Sequence, residues 1–507
     1  MKWIKHLWVI VIFALLLCLI SNCKKDSIAP PPAKLTAADS ANLISLEINQ
    51  FIWSGLNYYY LWVDSVPKLS PKYFQNDTNK WNTFLRPYSD HEKLFNDLLY
   101  KNTVDKWSWI VDDYTVLENE LQGITKSMGF DFGLVRYGTG TNVFGFVRYV
   151  LPNSPASAAG LKRGDIFTKV DDQQITTSNY QTLLFNKDSY KLSFADIISN
   201  NITPNNRQAN LTAIQLQENP VYLDTVYTIN NNKIGYLVYN GFYPDFDVNL
   251  NDVFKTFKGA NIQNLILDLR YNGGGSIQSA INLASMIYST NHTKIFAKTK
   301  YNSQLQADIT NYYGPNYFMD YFTDTLARQT ATGSPTSITS LGLSQLYVIT
   351  TGNTASASEL VINGLKPYVN VVTIGTNSIG KYVGSMTVKD YDSKGNLNPN
   401  HKWAMQPIVL KISNANDVSD YVNGFTPKVV INEMNYLASM LPLGDVNEPL
   451  LKAALNDLQG LPQQLSLVKS TLAVQKVADS KDSRPHSQEM YRDAKSLPVS
   501  HKTLFDK

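Results

Sequence analysis

The chain has 507 residues, of which 43% are apolar and 17% charged, with a formal net charge of +3. That length allows about three domains with cores of their own. The near-neutral balance gives no electrostatic case for a nucleic-acid partner, and with only two cysteines, Cys18 and Cys23, the body of the chain has no disulfide framework or thiolate metal cluster.

Residues 1–22 read as an export signal. Lys2 and Lys5 precede an apolar run from Leu7 to Ile20, which is short for a membrane span of about 20 apolar residues. Leu19-Ile20-Ser21-Asn22-Cys23 resembles a bacterial lipobox. The resemblance implies that Cys23 is lipidated and that the exported chain is held on the cell envelope by lipid. Residues 23–40, with Pro30-Pro31-Pro32, predict a flexible tether.

Residues 41–120 predict a helical, aromatic region. Ile44, Ile48, Ile52 and Leu56 recur every four residues, and Leu94, Phe95, Leu98 and Leu99 mark a second apolar face. Residues 121–223 predict short strands. Within them Tyr149 to Ala156 and Ala159 to Ile166 read as strand, turn, short helix, glycine stop, turn and strand. Pro155 starts the helix, Gly160 ends it, and Gly164-Asp165 makes the turn. This stretch resembles a PDZ domain of the bacterial protease type, which binds an extended chain end by adding it to a sheet edge. The resemblance places Gly129 and Phe130, in Met128-Gly129-Phe130-Asp131-Phe132, where the terminal carboxylate is held.

Residues 224–460 alternate strands and helices, which predicts an α/β core with a mostly parallel sheet. The strands are expected at Ile234–Tyr239, 265–269, 346–350 and 369–374. The helices are expected at 249–258, 276–288 and 356–365. Residues 290–343 break the rhythm and read as an insertion with mobile parts. Residues 461–507 are polar and read as a disordered tail.

Two turns of this core carry chemistry. Leu267-Asp268-Leu269-Arg270-Tyr271-Asn272 runs into Gly273-Gly274-Gly275, and Thr354-Ala355-Ser356-Ala357-Ser358-Glu359 opens a helix. Both lie at carboxyl ends of strands, where open α/β sheets bind ligands. Ser356 at a helix start gains from the helix dipole. Lys381 follows 25 positions later, after Ile379-Gly380. A hydroxyl becomes a good nucleophile when a base takes its proton, and a dry, neutral lysine can be that base. Ser358 stands as the alternative nucleophile. Asp268, Arg270 and Glu359 are expected to be structural. No histidine lies in a recognisable motif: His91, His292 and His401 are scattered, and His6, His486 and His501 are near the ends.

Together these motifs resemble the C-terminal processing peptidases, or tail-specific proteases, over about residues 41–458. The resemblance implies an α/β protease core (ClpP/crotonase-like, mostly parallel sheet) with a β-rich PDZ domain and a helical N-terminal region. It implies a serine endopeptidase with a Ser356–Lys381 dyad, an oxyanion hole at Gly273, Gly274 and Ala357, and polypeptide substrates taken by their C-terminal ends. No metal or organic cofactor is implied. Where that family often has a glutamine four residues after the lysine, this chain has Ser385, so the role of orienting Lys381 falls to a shorter side chain. The alternative is a non-catalytic peptide- or ligand-binding lipoprotein on the same scaffold, since a fold does not guarantee its chemistry.

Overall fold

A computed structural model describes residues 36–101, 103–326, 335–464, 469–483 and 487–493. The export signal, Cys23 and most of the tether lie outside the described residues.

The first helix, Ala37–Tyr59, starts at Thr36, whose hydroxyl accepts from the Asp39 N–H while the Asp39 carboxylate accepts in return from the Thr36 N–H. Its buried face, including Ile52, Trp53 and Leu56, packs with Leu94, Phe95 and Leu98 of the following helical segments into the main core. Ile44, expected on that face, is only partly covered. A short strand, Trp109–Val111, pairs antiparallel with Ala404–Gln406 and joins this region to the core.

The core sheet runs in the order Val221–Ile229, Asn232–Tyr239, Asn264–Asp268, Gln345–Thr350, Asn370–Gly375, Val429–Val430. The first pair is antiparallel and the rest are parallel. Helices Asp247–Ala260, Ile277–Ile287 and Ala357–Leu365 cover one face, and Pro449–Leu458 covers the other. Both faces are therefore dry, which is why these strands read as continuous apolar runs.

A second six-stranded sheet was not foreseen. Its order is Gly275–Ser276, Met490–Tyr491, Val383–Ser385, Ile408–Asn414, Ile295–Tyr301, Met319–Tyr321. It overturns one expectation. Residues 290–343 are no mere insertion, because Ile295–Tyr301 is an interior strand paired on both edges.

The PDZ-like region builds a third sheet in the order Val474–Asp479, Phe130–Tyr137, Val143–Val150, Ile166–Val170, Ser189–Ile198, Asn201–Thr212. The helix after Pro155 runs Pro155–Ala158, with the Ser154 hydroxyl accepting from the Ser157 N–H. Here too the polar tail is corrected. Val474–Asp479 is a strand on the PDZ-like sheet, and Met490–Tyr491 is a strand inside the second core sheet.

Candidate active site

Strand Gln345–Thr350 ends in a turn that feeds helix Ala357–Leu365. Ser356 sits at the junction with φ +65° and ψ −115°, a conformation that non-glycine residues rarely hold. Three contacts impose it. Glu359 Oε2 accepts from the Ser356 N–H at 2.9 Å, Ser356 O accepts from the Leu360 N–H at 2.8 Å, and the Ala355 N–H donates to Asn272 O at 3.1 Å. The Ser356 hydroxyl is buried and has no hydrogen-bond partner among the described residues. The Ser358 hydroxyl donates to Asn272 O at 3.0 Å. Of the two serines, Ser358 is committed to the turn and Ser356 is not.

The glycine turn lies against this junction. A carbon added to Gly274, at φ +113°, would come within 2.8 Å of Ser356 Cβ and 3.0 Å of the Ala357 nitrogen. The expected oxyanion set of Gly273, Gly274 and Ala357 changes at both glycines. Asn272 Oδ1 accepts from the Gly274 N–H at 2.8 Å, so Gly274 is spent on the turn itself. The next donor, the Gly275 N–H, is the one on a carbonyl, that of Glu489 at 2.5 Å. Gly273 approaches the backbone of the same segment: a carbon added there would meet Ser487 O at 1.6 Å.

Lys381 follows strand Asn370–Gly375. Glu359 fixes its turn as well: Oε1 accepts from the Ser378 hydroxyl and the Gly380 N–H, both at 2.6 Å, and Oε2 accepts from the Lys381 N–H at 2.8 Å. One carboxylate thus holds the serine turn and the lysine turn together. Burial pushes Glu359 up from the usual range, and these hydrogen bonds oppose that. The structural role expected for it is more central than a helix cap.

The Lys381 side chain is fully buried. Burial pushes its ammonium below the ordinary lysine value, against the opposing pull of Glu489, Asp105 and Glu359. Its Nζ donates to Gln488 O at 2.6 Å and lies 3.8 Å from Glu489 Oε2. The Trp107 ring centroid is 5.8 Å away. Ser385 does not orient the lysine as expected. Its hydroxyl donates to Glu489 Oε2 at 2.9 Å and accepts from Gln406 Nε2 at 3.0 Å. The serine side chain is short, and the carboxylate lies nearer than the ammonium.

Under the glycine turn, Asp268 and Arg270 pair as expected, within a larger buried cluster. Arg270 meets Asp268 at 2.7 Å, Glu448 at 2.6 Å and Glu433 at 3.2 Å. Glu433 also accepts from Arg163 at 2.7 Å and from the Tyr271 hydroxyl at 2.5 Å. Although burial opposes it, Arg163 and Arg270 hold Glu433 down to about 2. Arg163 belongs to the PDZ-like turn before Gly164, so this cluster ties that region to the catalytic turn.

In the PDZ-like region the Gly129 N–H is taken by Ser127 Oγ at 3.0 Å, and a carbon added to Gly129 would clash with Ser154. At Gly129 the expected carboxylate cradle is therefore occupied by its own turn, and Phe130 pairs with Val150 in the sheet. What the strand from Phe130 does hold is an extended chain: Val474–Asp479 runs antiparallel along it, and the Phe132 N–H donates to the Ser480 hydroxyl at 3.1 Å.

Three family profiles match: "Peptidase family S41" at residues 233–407, "Peptidase S41 N-terminal domain" at 47–109, and "PDZ domain" at 146–187. The peptidase family S41 match thus falls on the core, over residues 233–407. A solved structure of a putative S41 protease from Bacteroides fragilis superposes with a TM-score of 0.62 at 27% identity, covering 81% of this chain and 97% of the other. Carboxyl-terminal-processing peptidase 2, chloroplastic, from Arabidopsis thaliana is 25% identical over 272 residues, 52% of this chain and 47% of its own length. A carboxyl-terminal-processing protease from Picosynechococcus is 23% identical over 239 residues, 46% of this chain and 49% of its own. The chain spans about half the length of the curated relatives it matches.

In this S41-like core the sequence singled out both turns and the lysine. It missed Asn272, which joins the turns through its carbonyl and side chain, and Gly275, Trp109 and Glu489. Asn272 stands beside the glycine triplet, so it could have been weighed. Nothing local pointed to Glu489. Among the described residues no group of three or more His, Cys, Asp or Glu is arranged to hold a metal ion.

Proposed function

We propose that the chain is a serine endopeptidase of the C-terminal processing type, acting on exported polypeptides from a lipid anchor at Cys23. The observation that carries the chemistry is the buried, uncommitted Ser356 hydroxyl on a strained turn, held by the same Glu359 carboxylate that holds the Lys381 turn. Ser356 Oγ attacks a peptide carbonyl. Neutral Lys381 takes the hydroxyl proton and later gives it to the leaving amine. The N–H groups of Gly275 and Ala357 receive the oxyanion, and water then releases the acyl group. The PDZ-like edge along Phe130–Tyr137 captures an extended stretch of substrate before cleavage.

A fluorophosphonate that phosphonylates activated serines, with loss of fluoride, tests the site. Peptide mapping is expected to place the label on Ser356, and the Lys381→Ala chain is expected to label far more slowly. The binding-protein reading draws on one observation, that Lys381 is hydrogen-bonded to Gln488 and not to Ser356. No label on either serine under any condition would favour it, and a label on Ser358 would move the nucleophile to that residue. The lipid anchor is tested by detergent partitioning, where Cys23→Ala is expected to move the exported protein to the aqueous phase.

A further inference from the structure

The peptidase groove is not empty. Ser487 to Asp493 crosses it as an added strand. Met490–Tyr491 pairs parallel with Gly275–Ser276, Tyr491 pairs with Ser385, and the Arg492 N–H donates to Ser385 O at 3.1 Å. This is how an extended polypeptide would lie between the glycine turn and the lysine strand. The Glu489 carbonyl sits where a scissile carbonyl belongs: it accepts from the Gly275 N–H, and a carbon on Gly274 would lie 2.1 Å from it and 2.8 Å from Ser356 Cβ. The preceding carbonyl, that of Gln488, takes the Lys381 ammonium at 2.6 Å.

Side chains lock the strand in place. The Glu489 carboxylate accepts from Trp109 Nε1 at 3.0 Å and from the Ser385 hydroxyl at 2.9 Å. Met490 is buried in the main core. Arg492 makes a two-point contact with Asp320, at 2.6 and 3.0 Å, and reaches Thr299 Oγ1 at 3.1 Å. Upstream, Val474–Asp479 fills the PDZ-like edge, with Asp479 on Arg148 and the Ser480 hydroxyl donating to Asp131 at 3.0 Å. Both places where a substrate chain would bind therefore hold the chain's own C-terminal segment. Ser356 and Lys381 are fully buried in this arrangement, so no external polypeptide reaches them until the segment leaves.

We infer that Ser487–Asp493 is an intramolecular, substrate-like occupant that closes the groove, anchored by Glu489 in a subsite for acidic side chains built from Trp109 and Ser385, and by Arg492 on Asp320. This rests on the peptidase reading of the groove and adds what fills it. It also accounts for Ser385: the position holds the acidic anchor and meets the lysine only through it. The engaged Lys381 and unpartnered Ser356 are the idle form. Release of the strand frees the ammonium from Gln488 and opens the path to external chains, and those with an acidic residue in the Glu489 position compete best.

The test compares the full chain with its Glu489→Ala, Arg492→Ala double variant. Hydrolysis of an unstructured protein such as casein is expected to rise at least about tenfold, the effect of losing one charge-assisted contact. A synthetic peptide of sequence Ser-Gln-Glu-Met-Tyr-Arg-Asp, added in excess, is expected to suppress the variant, and the same peptide with alanine for glutamate is not. Where the wild-type chain hydrolyses casein, equal or lower hydrolysis by a folded double variant, or equal suppression by both peptides, would overturn the inference. So would loss of Met490–Lys507 from the wild-type chain but not from Ser356→Ala, since the segment would then be consumed and not a standing occupant. A second readout is independent of activity. In the Ser356→Ala background, added trypsin is expected to cut after Lys481 faster when Glu489 and Arg492 are replaced, and unchanged protection there would refute the anchors. If no form hydrolyses casein while trypsin access does change, the peptidase reading fails and the docked strand stands.

Discussion

A lysine sealed from water differs chemically from one on the surface. Burial lowers the affinity of Lys381 for its proton, so the neutral form that can accept the Ser356 proton becomes available below the ordinary lysine range. The sign follows directly: the protonated base is inactive, so kcat/KM is expected to rise with pH and level off below about 10.5. A maximum near pH 4, where carboxylates titrate, would rule the lysine out. Lys381→Ala is expected to lower kcat by about 100- to 10,000-fold, the usual worth of a general base, with little change in thermal stability. At Gly275, φ is +138° and an added carbon would meet Phe242 O at 2.4 Å. Gly275→Ala is therefore expected to lose activity and also stability, readable together from hydrolysis rate and melting temperature.

At the scale of elements, two buried clusters fix the site. Arg270 is fully buried among Asp268, Glu448 and Glu433. Removing one partner of such a cluster leaves uncompensated charge, so Arg270→Ala is expected to cost about 3–5 kcal/mol in denaturant unfolding. A cost below 1 kcal/mol would show that the cluster is not rigid. Asp247 opens the helix Asp247–Ala260. One of its oxygens accepts from Ser279 at 3.0 Å and Asn282 at 2.8 Å, and the other has no partner among the described residues. Burial pushes its carboxyl up to about 7. The folded state thus holds this proton more tightly than the unfolded state, and stability falls by about 1.4 kcal/mol per pH unit between about pH 4 and pH 7. Asp247→Asn is expected to gain on the wild type as pH rises from 5 to 8, read as the difference in melting temperature. A difference independent of pH would mean that the carboxyl ionises freely.

At the scale of the whole molecule, much of the architecture was legible. The strands and helices of the parallel sheet fall within a few residues of where periodicity put them, because a sheet covered on both faces needs unbroken apolar runs. Ser356 and Lys381 were legible because each sits in a short motif on a turn. What escaped is non-local. The tail reads as polar from end to end, yet its strands are held by main-chain hydrogen bonds and charged anchors, which leave no hydrophobic period in sequence. The contact between Lys381 and Gln488 spans 107 residues, and no motif near either residue announces it. Ser385 was assigned to the wrong neighbour for the same reason. The PDZ-like region carries one further expectation. Because the Gly129 N–H is taken by Ser127 and Val474–Asp479 lies along the edge, peptides with a free apolar C-terminus are expected to bind the full Glu489→Ala, Arg492→Ala chain no more tightly than their amides, and a preference of about tenfold for the free end would show a carboxylate site elsewhere in the region. Equal binding would leave the strand edge as the sole recognition element.

The central claim is acyl transfer by Ser356 with Lys381 as base. It is tested most directly by following peptide-bond hydrolysis of an unstructured protein by mass spectrometry, using the wild-type chain, Ser356→Ala, Ser358→Ala and Lys381→Ala at equal concentration. The account predicts cleavage by the wild type and by Ser358→Ala, and none above background from the other two. Cleavage that persists in Ser356→Ala and disappears in Ser358→Ala would contradict it.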